Sequence, residues 1–119
     1  MIVDTSVWID HFRQPNADLA SFLDEGRVLT HPFVIGELAC GSLARREEVL
    51  HLLEALPAAP VATHDEVMAF VDRYRLHGSG LGWIDVHLLA SARLGRASLW
   101  SADKRLRREA VRLGLTDLD

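Results

Sequence analysis

Short apolar runs alternate with helical segments along this chain, and no two strands are joined by a hairpin signal such as Asn-Gly. Met1 to Asp4, Arg27 to Thr30, Val61–Ala62 and Ser98 to Ser101 read as strands, and Leu115 to Leu118 as a closing edge strand. Between them the apolar spacing turns helical. Leu19, Phe22 and Leu23 share a face after Asn16 and Asp18, and His31-Pro32 starts a helix that runs to Cys40. Val49, Leu52, Leu53 and Leu56 repeat at i, i+3, i+4 and i+7, and Val67, Phe70, Val71 and Tyr74 do the same. Two more helices are predicted, over Trp83 to Leu94 and Lys104 to Leu113. Strands that alternate with helices pack as a parallel sheet with helices on both faces. The expected fold class is therefore α/β. The 119 residues suffice for a single domain, 1–119, and are too few for two.

Composition narrows the setting. A single cysteine, Cys40, excludes an internal disulfide and fits a reducing compartment. It lies in an apolar run and reads as a small core residue. No basic leader precedes an apolar stretch, and no run approaches the ~20 apolar residues of a spanning helix. The expected location is cytoplasmic. The net charge of −4 argues against a nucleic-acid partner until its distribution is read. Arg93 to Arg112 holds seven basic residues against two acids, or +5, which leaves −9 for the remainder. A basic end beside an acidic remainder fits an anionic ligand held partly by arginine and partly through metal.

Four acids stand at unusual places. Asp4 ends the first strand, and Asp103 lies just past the strand "SLWS". Each is an ordinary helix N-cap when taken alone. Glu37, in "FVIGELACG", shares a helical stripe with Phe33, Val34 and Cys40; its bland reading is a snorkelling edge carboxylate. Asp85, in "GWIDVHLLASA", is aligned with Leu88, Leu89 and Ala92; its bland reading is a partner of the helix dipole. Taken together they gain a second reading. In open α/β sheets, ligands bind beyond the carboxyl ends of the strands, and strand ends and helix starts can converge there. Two charges about 4 Å apart repel by roughly 4 kcal/mol at an effective dielectric near 20, so such a cluster is expelled or partly protonated unless a cation occupies it. Carboxylates without clustered cysteine or histidine favour hard ions, Mg²⁺ or Mn²⁺, over zinc.

These segments, "IVDTSVWID", "GELACG", "GWIDVHLLASA" and "LWSADKRL", resemble in order and spacing a PIN domain, more closely a VapC-type ribonuclease toxin of a toxin–antitoxin pair. The resemblance covers essentially the whole chain. It implies a three-layer α/β/α sandwich around a mainly parallel sheet of four to five strands. It implies that Asp4, Glu37, Asp85 and Asp103 form the catalytic metal site. Ser6 and Ser101 match the family's hydroxyl positions, where they hold waters, orient carboxylates or serve as caps. It also implies Mg²⁺- or Mn²⁺-dependent RNA hydrolysis that leaves 5′-phosphate and 3′-hydroxyl ends and inhibits translation. The implied partners are the RNA substrate, a VapB-like antitoxin and a second copy in a homodimer, with no membrane. Lys104-Arg105-Leu106 departs from the family pattern, standing where many members have a further acid or a phenylalanine; the count of one or two ions stays open.

Other features compete for a role. Arg105, Arg108 and Arg112 lie on one face of the last helix, with Lys104 beside them and Leu106, Ala110 and Leu113 opposite. That face is either solvated or a track for RNA phosphates. The glycines of "HGSGLG" lack the Gly-Lys-Ser/Thr of a phosphate loop and read as a turn before the Asp85 helix. His11, His31, His51, His64, His77 and His87 show no ligand-like pairing and read as structural or surface residues. Trp8, Trp83 and Trp100 flank the acids and read as core. Asp10 reads as a surface acid. A response-regulator-type phosphoacceptor domain is the alternative enzyme-like reading, but Asp4 is followed by Thr5 where that class needs a second acid. A dehalogenase-type phosphatase fails similarly, because "DTSVW" lacks an aspartate two residues on. A non-catalytic, metal-binding partner-recognition domain is the third reading.

Overall fold

A computed structural model describes residues 1–116. Its centre is β1, Ile2–Val3, which pairs in parallel with β2, Leu99–Trp100, in the register Ile2 to Leu99 and Val3 to Trp100. Single parallel bridges extend the sheet from Ile2 to Leu29 and from Thr30 to Ala58. On the other side, the Leu99 N–H donates to the Leu115 carbonyl at 2.6 Å. The regular ladder has two strands among the described residues. Proline explains one short edge: Pro57 and Pro60 bracket Ala58 and Ala59, and neither proline has an N–H to donate. The pairing expected at Val61–Ala62 therefore falls at Ala58, and Val61 is left exposed. Leu115 and Thr116 form no strand, and the rest of the expected edge strand, 117–118, lies outside the described residues.

Seven helices surround this sheet among the described residues: α1 (Thr5–Arg13), α2 (Ala17–Asp24), α3 (Pro32–Cys40), α4 (Arg46–Glu54), α5 (His64–Tyr74), α6 (Trp83–Leu94) and α7 (Lys104–Arg112). Their starts follow capping chemistry. The Asn16 side chain accepts from the Leu19 N–H at 3.0 Å, and Thr63 and Glu66 form a reciprocal capping box at the head of α5. Pro32 opens α3, where its missing N–H costs nothing. The sequence reading missed α1, because Val7 and Trp8 are its only buried residues and two adjacent positions show no helical period. In α6, every residue from Val86 to Ala92 is buried, so this helix runs through the protein interior and brings its first turn to the surface at Asp85.

The core joins Ile2, Val3 and Leu99 of the sheet to Leu88 and Leu89 of α6, Leu106 of α7, Leu19 of α2 and Leu38 of α3. Trp8 belongs to it. Trp83 does not: it is 41% exposed. Cys40, expected in the core, is exposed as the last residue of α3. No helix among the described residues is long and apolar enough to cross a membrane.

Candidate active site

Asp4 directly follows β1 and holds the N-cap position of α1, yet its side chain makes no capping bond. The carboxylate turns toward the loop after β2 instead. Its Oδ2 accepts from the Ser6 hydroxyl at 2.7 Å and from the Ser101 hydroxyl at 2.8 Å. The same two hydroxyls receive backbone donors, Ser6 from the Ala102 N–H and Ser101 from the Asp103 N–H, both at 3.0 Å. The Asp4 N–H donates to the Trp100 carbonyl at 2.8 Å. This mesh ties the ends of the two paired strands together and fixes a carboxylate that is only 7% exposed. Ser6 and Ser101 thus both donate to the Asp4 carboxylate and accept a backbone N–H, so bonding to a carboxylate and capping coexist in each.

The other three acids are reached from different elements. Asp103 does cap its helix: Oδ1 accepts from the Arg105 and Leu106 N–H groups at 2.9 and 3.1 Å. Asp85 sits in the first turn of α6, where Oδ2 accepts from the Gly82 N–H at 3.2 Å. Glu37 is exposed on α3, and its Oε1 accepts from the Thr5 hydroxyl at 2.8 Å. Thr5, next to Asp4 in the chain, thus links α3 to the strand end. The sequence reading passed over it, and its adjacency to Asp4 was the available signal. The stripe that Glu37 was expected to share also opens outward, since Cys40 is exposed as well.

Electrostatics shows which acids share a neighbourhood. The Asp85 carboxyl titrates above its ordinary value, chiefly because burial disfavours its charged form. The bond from Gly82 opposes this, and the negative charges of Asp4 and Asp103 add to it. Each of the four carboxylates commits one oxygen to the protein and leaves the other without a donor among the described residues. None forms a salt bridge among the described residues, where the only side-chain ion pairs join Arg27 to Glu25 and Arg112 to Glu109. In their present rotamers, no three acid, histidine or cysteine side chains among the described residues gather tightly enough to hold a metal ion. Asp4, Asp85 and Asp103 form an open, all-oxygen neighbourhood rather than a closed cage, and Glu37 is tied to it only through its bond from Thr5. That donor chemistry fits a hard divalent ion that keeps several of its waters.

The histidines divide. His31 is fully buried; its Nδ1 accepts from the Phe33 N–H at 3.0 Å, so the ring proton sits on Nε2 and faces the Ser91 hydroxyl at 3.0 Å. Burial, and then the nearby His87, hold its pKa down to about 4. His87 is also buried and titrates low, through burial and then His64. The structural role expected for these two histidines matches their places in the fold.

On α7, Lys104, Arg105, Arg107 and Arg108 are exposed and carry no ion pair among the described residues. Arg105 lies over Gly80, whose φ of +88° suits glycine and where an added Cβ would stand 3.0 Å from Arg105 Cδ. Arg112 is engaged internally. Its Nε meets Glu109 Oε2 at 2.6 Å and its second nitrogen donates to the Tyr74 carbonyl at 2.8 Å.

Comparison with known proteins adds an independent finding. The PIN domain profile matches residues 1–111. Ribonuclease VapC32 of Mycobacterium tuberculosis, found in two strains, is 48% identical to this chain over 116 residues, which cover 97% of this chain and 94% of the relative.

Proposed function

The chain belongs to the PIN domain family, and from that premise we propose that it is a metal-dependent endoribonuclease, the toxin of a toxin–antitoxin pair. The observation that carries this reading is Asp4: a buried carboxylate at a strand end, oriented by two hydroxyls, with no ion-pair partner among the described residues. The 48% identity to a protein named a ribonuclease supports the same chemistry. In this reading the bridges at Leu29 and Ala58 are outer members of a four- to five-stranded sheet in a three-layer α/β/α sandwich.

Asp4, Glu37, Asp85 and Asp103 would hold Mg²⁺, or Mn²⁺ in its place. Such an ion supplies an activated water and neutralises charge on the phosphate. The chain's own part is placement. Ser6 and Ser101 fix the Asp4 carboxylate, and Thr5 restrains Glu37. Gly82 holds one oxygen of Asp85 and leaves the other open. Lys104, Arg105 and Arg108 supply positive charge for RNA phosphates beside the acids, with Arg112 the least available of the four because Glu109 and Tyr74 hold it. A VapB-like antitoxin would cover this site, the toxin would act in the cytoplasm to stop translation, and a homodimer is the assembly proposed.

Brief expression of the wild type, followed by sequencing of cellular RNA ends, tests the reading. New 5′-phosphate ends at defined sites, absent with Asp4→Asn, are the expected result. Identical ends from both proteins would refute it.

A further inference from the structure

Arg105 differs from the other exposed cations of α7 in being held in place. Its backbone is fixed at one of the acids, where the N–H donates to Asp103 Oδ1 at 2.9 Å. Its side chain crosses to the turn before α6 and lies flat over Gly80. A Cβ at that glycine would stand 3.0 Å from Arg105 Cδ, 3.3 Å from its Nη1 and 3.4 Å from its Nε. Gly80 also has a φ of +88°, so its conformation and its bare surface both call for glycine. The turn beneath is pinned: the Ser79 hydroxyl donates to the Leu76 carbonyl at 2.5 Å and accepts from the Leu81 N–H at 3.4 Å. Two residues past Gly80, the Gly82 N–H holds Asp85 Oδ2 at 3.2 Å. Arg105 thus starts at the cap residue Asp103 and ends over the turn that holds Asp85.

Its guanidinium is nevertheless unclaimed. Arg27, Arg46, Arg93 and Arg112 each donate from the side chain to a carboxylate or a carbonyl. Arg105 is exposed, and among the described residues its side chain has no such partner. Local stability does not favour an arginine at this position. The first turn of α7 carries no acid, and cations at a helix start oppose its dipole. A planar fork that is fixed and still free to donate suits two oxygens of one phosphate.

Resting on the ribonuclease reading above, we propose that Gly80 is a positioning residue, which seats Arg105 so that its guanidinium grips a backbone phosphate of the RNA. The glycine acts through the arginine. Its bare surface over a pinned turn holds the fork in place before the substrate arrives, and this lowers the ordering cost of binding. A Cβ at Gly80 would displace the flexible Arg105 side chain rather than the backbone, so the seat is lost before the turn is. Lys104 and Arg108 are exposed without such a seat among the described residues and add general positive charge.

The test is a double-mutant cycle on RNA binding in EDTA, where nothing is cut. Wild type, Gly80→Ala, Arg105→Ala and the double variant are compared on one short single-stranded RNA at several salt concentrations. Arg105→Ala is expected to weaken binding by roughly tenfold and to lower the slope of log affinity against log salt by about 1. Gly80→Ala is expected to weaken binding several-fold while Arg105 is present and to change nothing once it is alanine. Equal losses in both backgrounds would overturn the seat, because strain in the turn acts whatever stands at position 105. Unchanged affinity and slope in Arg105→Ala would overturn the phosphate contact, as would a wild type that binds no RNA. Should Gly80→Ala fail to fold, Gly80→Asn replaces it in the cycle, since asparagine tolerates positive φ and its Cβ crowds the same side chain. If the cycle holds but the wild type cleaves no RNA with Mg²⁺, the nuclease reading falls and the seated contact stands.

Discussion

Two carboxylates in this protein are buried to nearly the same degree and treated in opposite ways. Glu109, on α7, is 8% exposed and meets a guanidinium of its own helix, Arg112, at 2.6 Å. Asp4, at the end of β1, is 7% exposed and is met by two serine hydroxyls and, among the described residues, by no cation. A hydroxyl donates a hydrogen bond but does not cancel charge. The protein pairs Glu109 from within and leaves Asp4 without a counterion among the described residues, while Asp4 and Asp103 add to the burial that makes Asp85 keep its proton more readily.

That contrast breaks most sharply at Asp4. Asp4→Asn should keep the fold, because the amide oxygen still accepts from Ser6 and Ser101, and should reduce RNA cleavage in vitro by more than about a hundredfold. A variant that cleaves normally with Mg²⁺ would place the chemistry elsewhere. Arg112→Ala is the reciprocal experiment. It strands Glu109 without a partner and should destabilise the protein by roughly 1–3 kcal/mol in urea unfolding, the exposed half of Arg112 limiting the loss. Cleavage by the folded fraction should persist.

Asp85→Asn sharpens the comparison through pH. The folded protein binds the Asp85 proton more tightly than the unfolded chain does, since burial and the neighbouring acids raise its pKa above 3.8. Stability therefore falls as pH rises from that ordinary value through the raised one, and the loss remains at neutral pH. Asp85→Asn should raise metal-free stability at pH 7, remove that part of the pH dependence, and abolish stabilisation by Mg²⁺. Lower metal-free stability with Mg²⁺ stabilisation intact would make Asp85 a mere partner of the helix dipole. The smallest effect is expected at Arg108. Arg108→Ala should weaken RNA binding and reduce the slope of log affinity against log salt by about 1; an unchanged slope would remove Arg108 from the phosphate track.

Much of this was legible in the chain. Helix periods at Leu19 to Leu23, Val49 to Leu56 and Val67 to Tyr74 predicted α2, α4 and α5, because an amphipathic helix writes its buried face into local spacing. The α1 helix was not legible, because it buries two adjacent residues and leaves Ile9 and Phe12 exposed. The places of Asp4, Asp85 and Asp103 at strand ends and helix starts were also read from sequence, whereas Glu37, expected in the N-terminal half of its helix, lies past the middle of α3 and is exposed. Their division of labour was not. Asp4 and Asp103 looked alike as caps, yet Asp103 caps α7 and Asp4 caps nothing.

The sequence by itself determined the helical periods and the positions of the candidate acids, since both depend on neighbours within a few residues. Tertiary structure alone decided that Ser101 reaches Asp4 across 97 positions, that Thr5 restrains Glu37 across 32, and that Trp83 is left open to solvent. The physical reason is distance along the chain. A cap is satisfied by backbone a residue or two away, but the alternative partner of a carboxylate exists only once β1 and β2 are paired and their ends lie side by side.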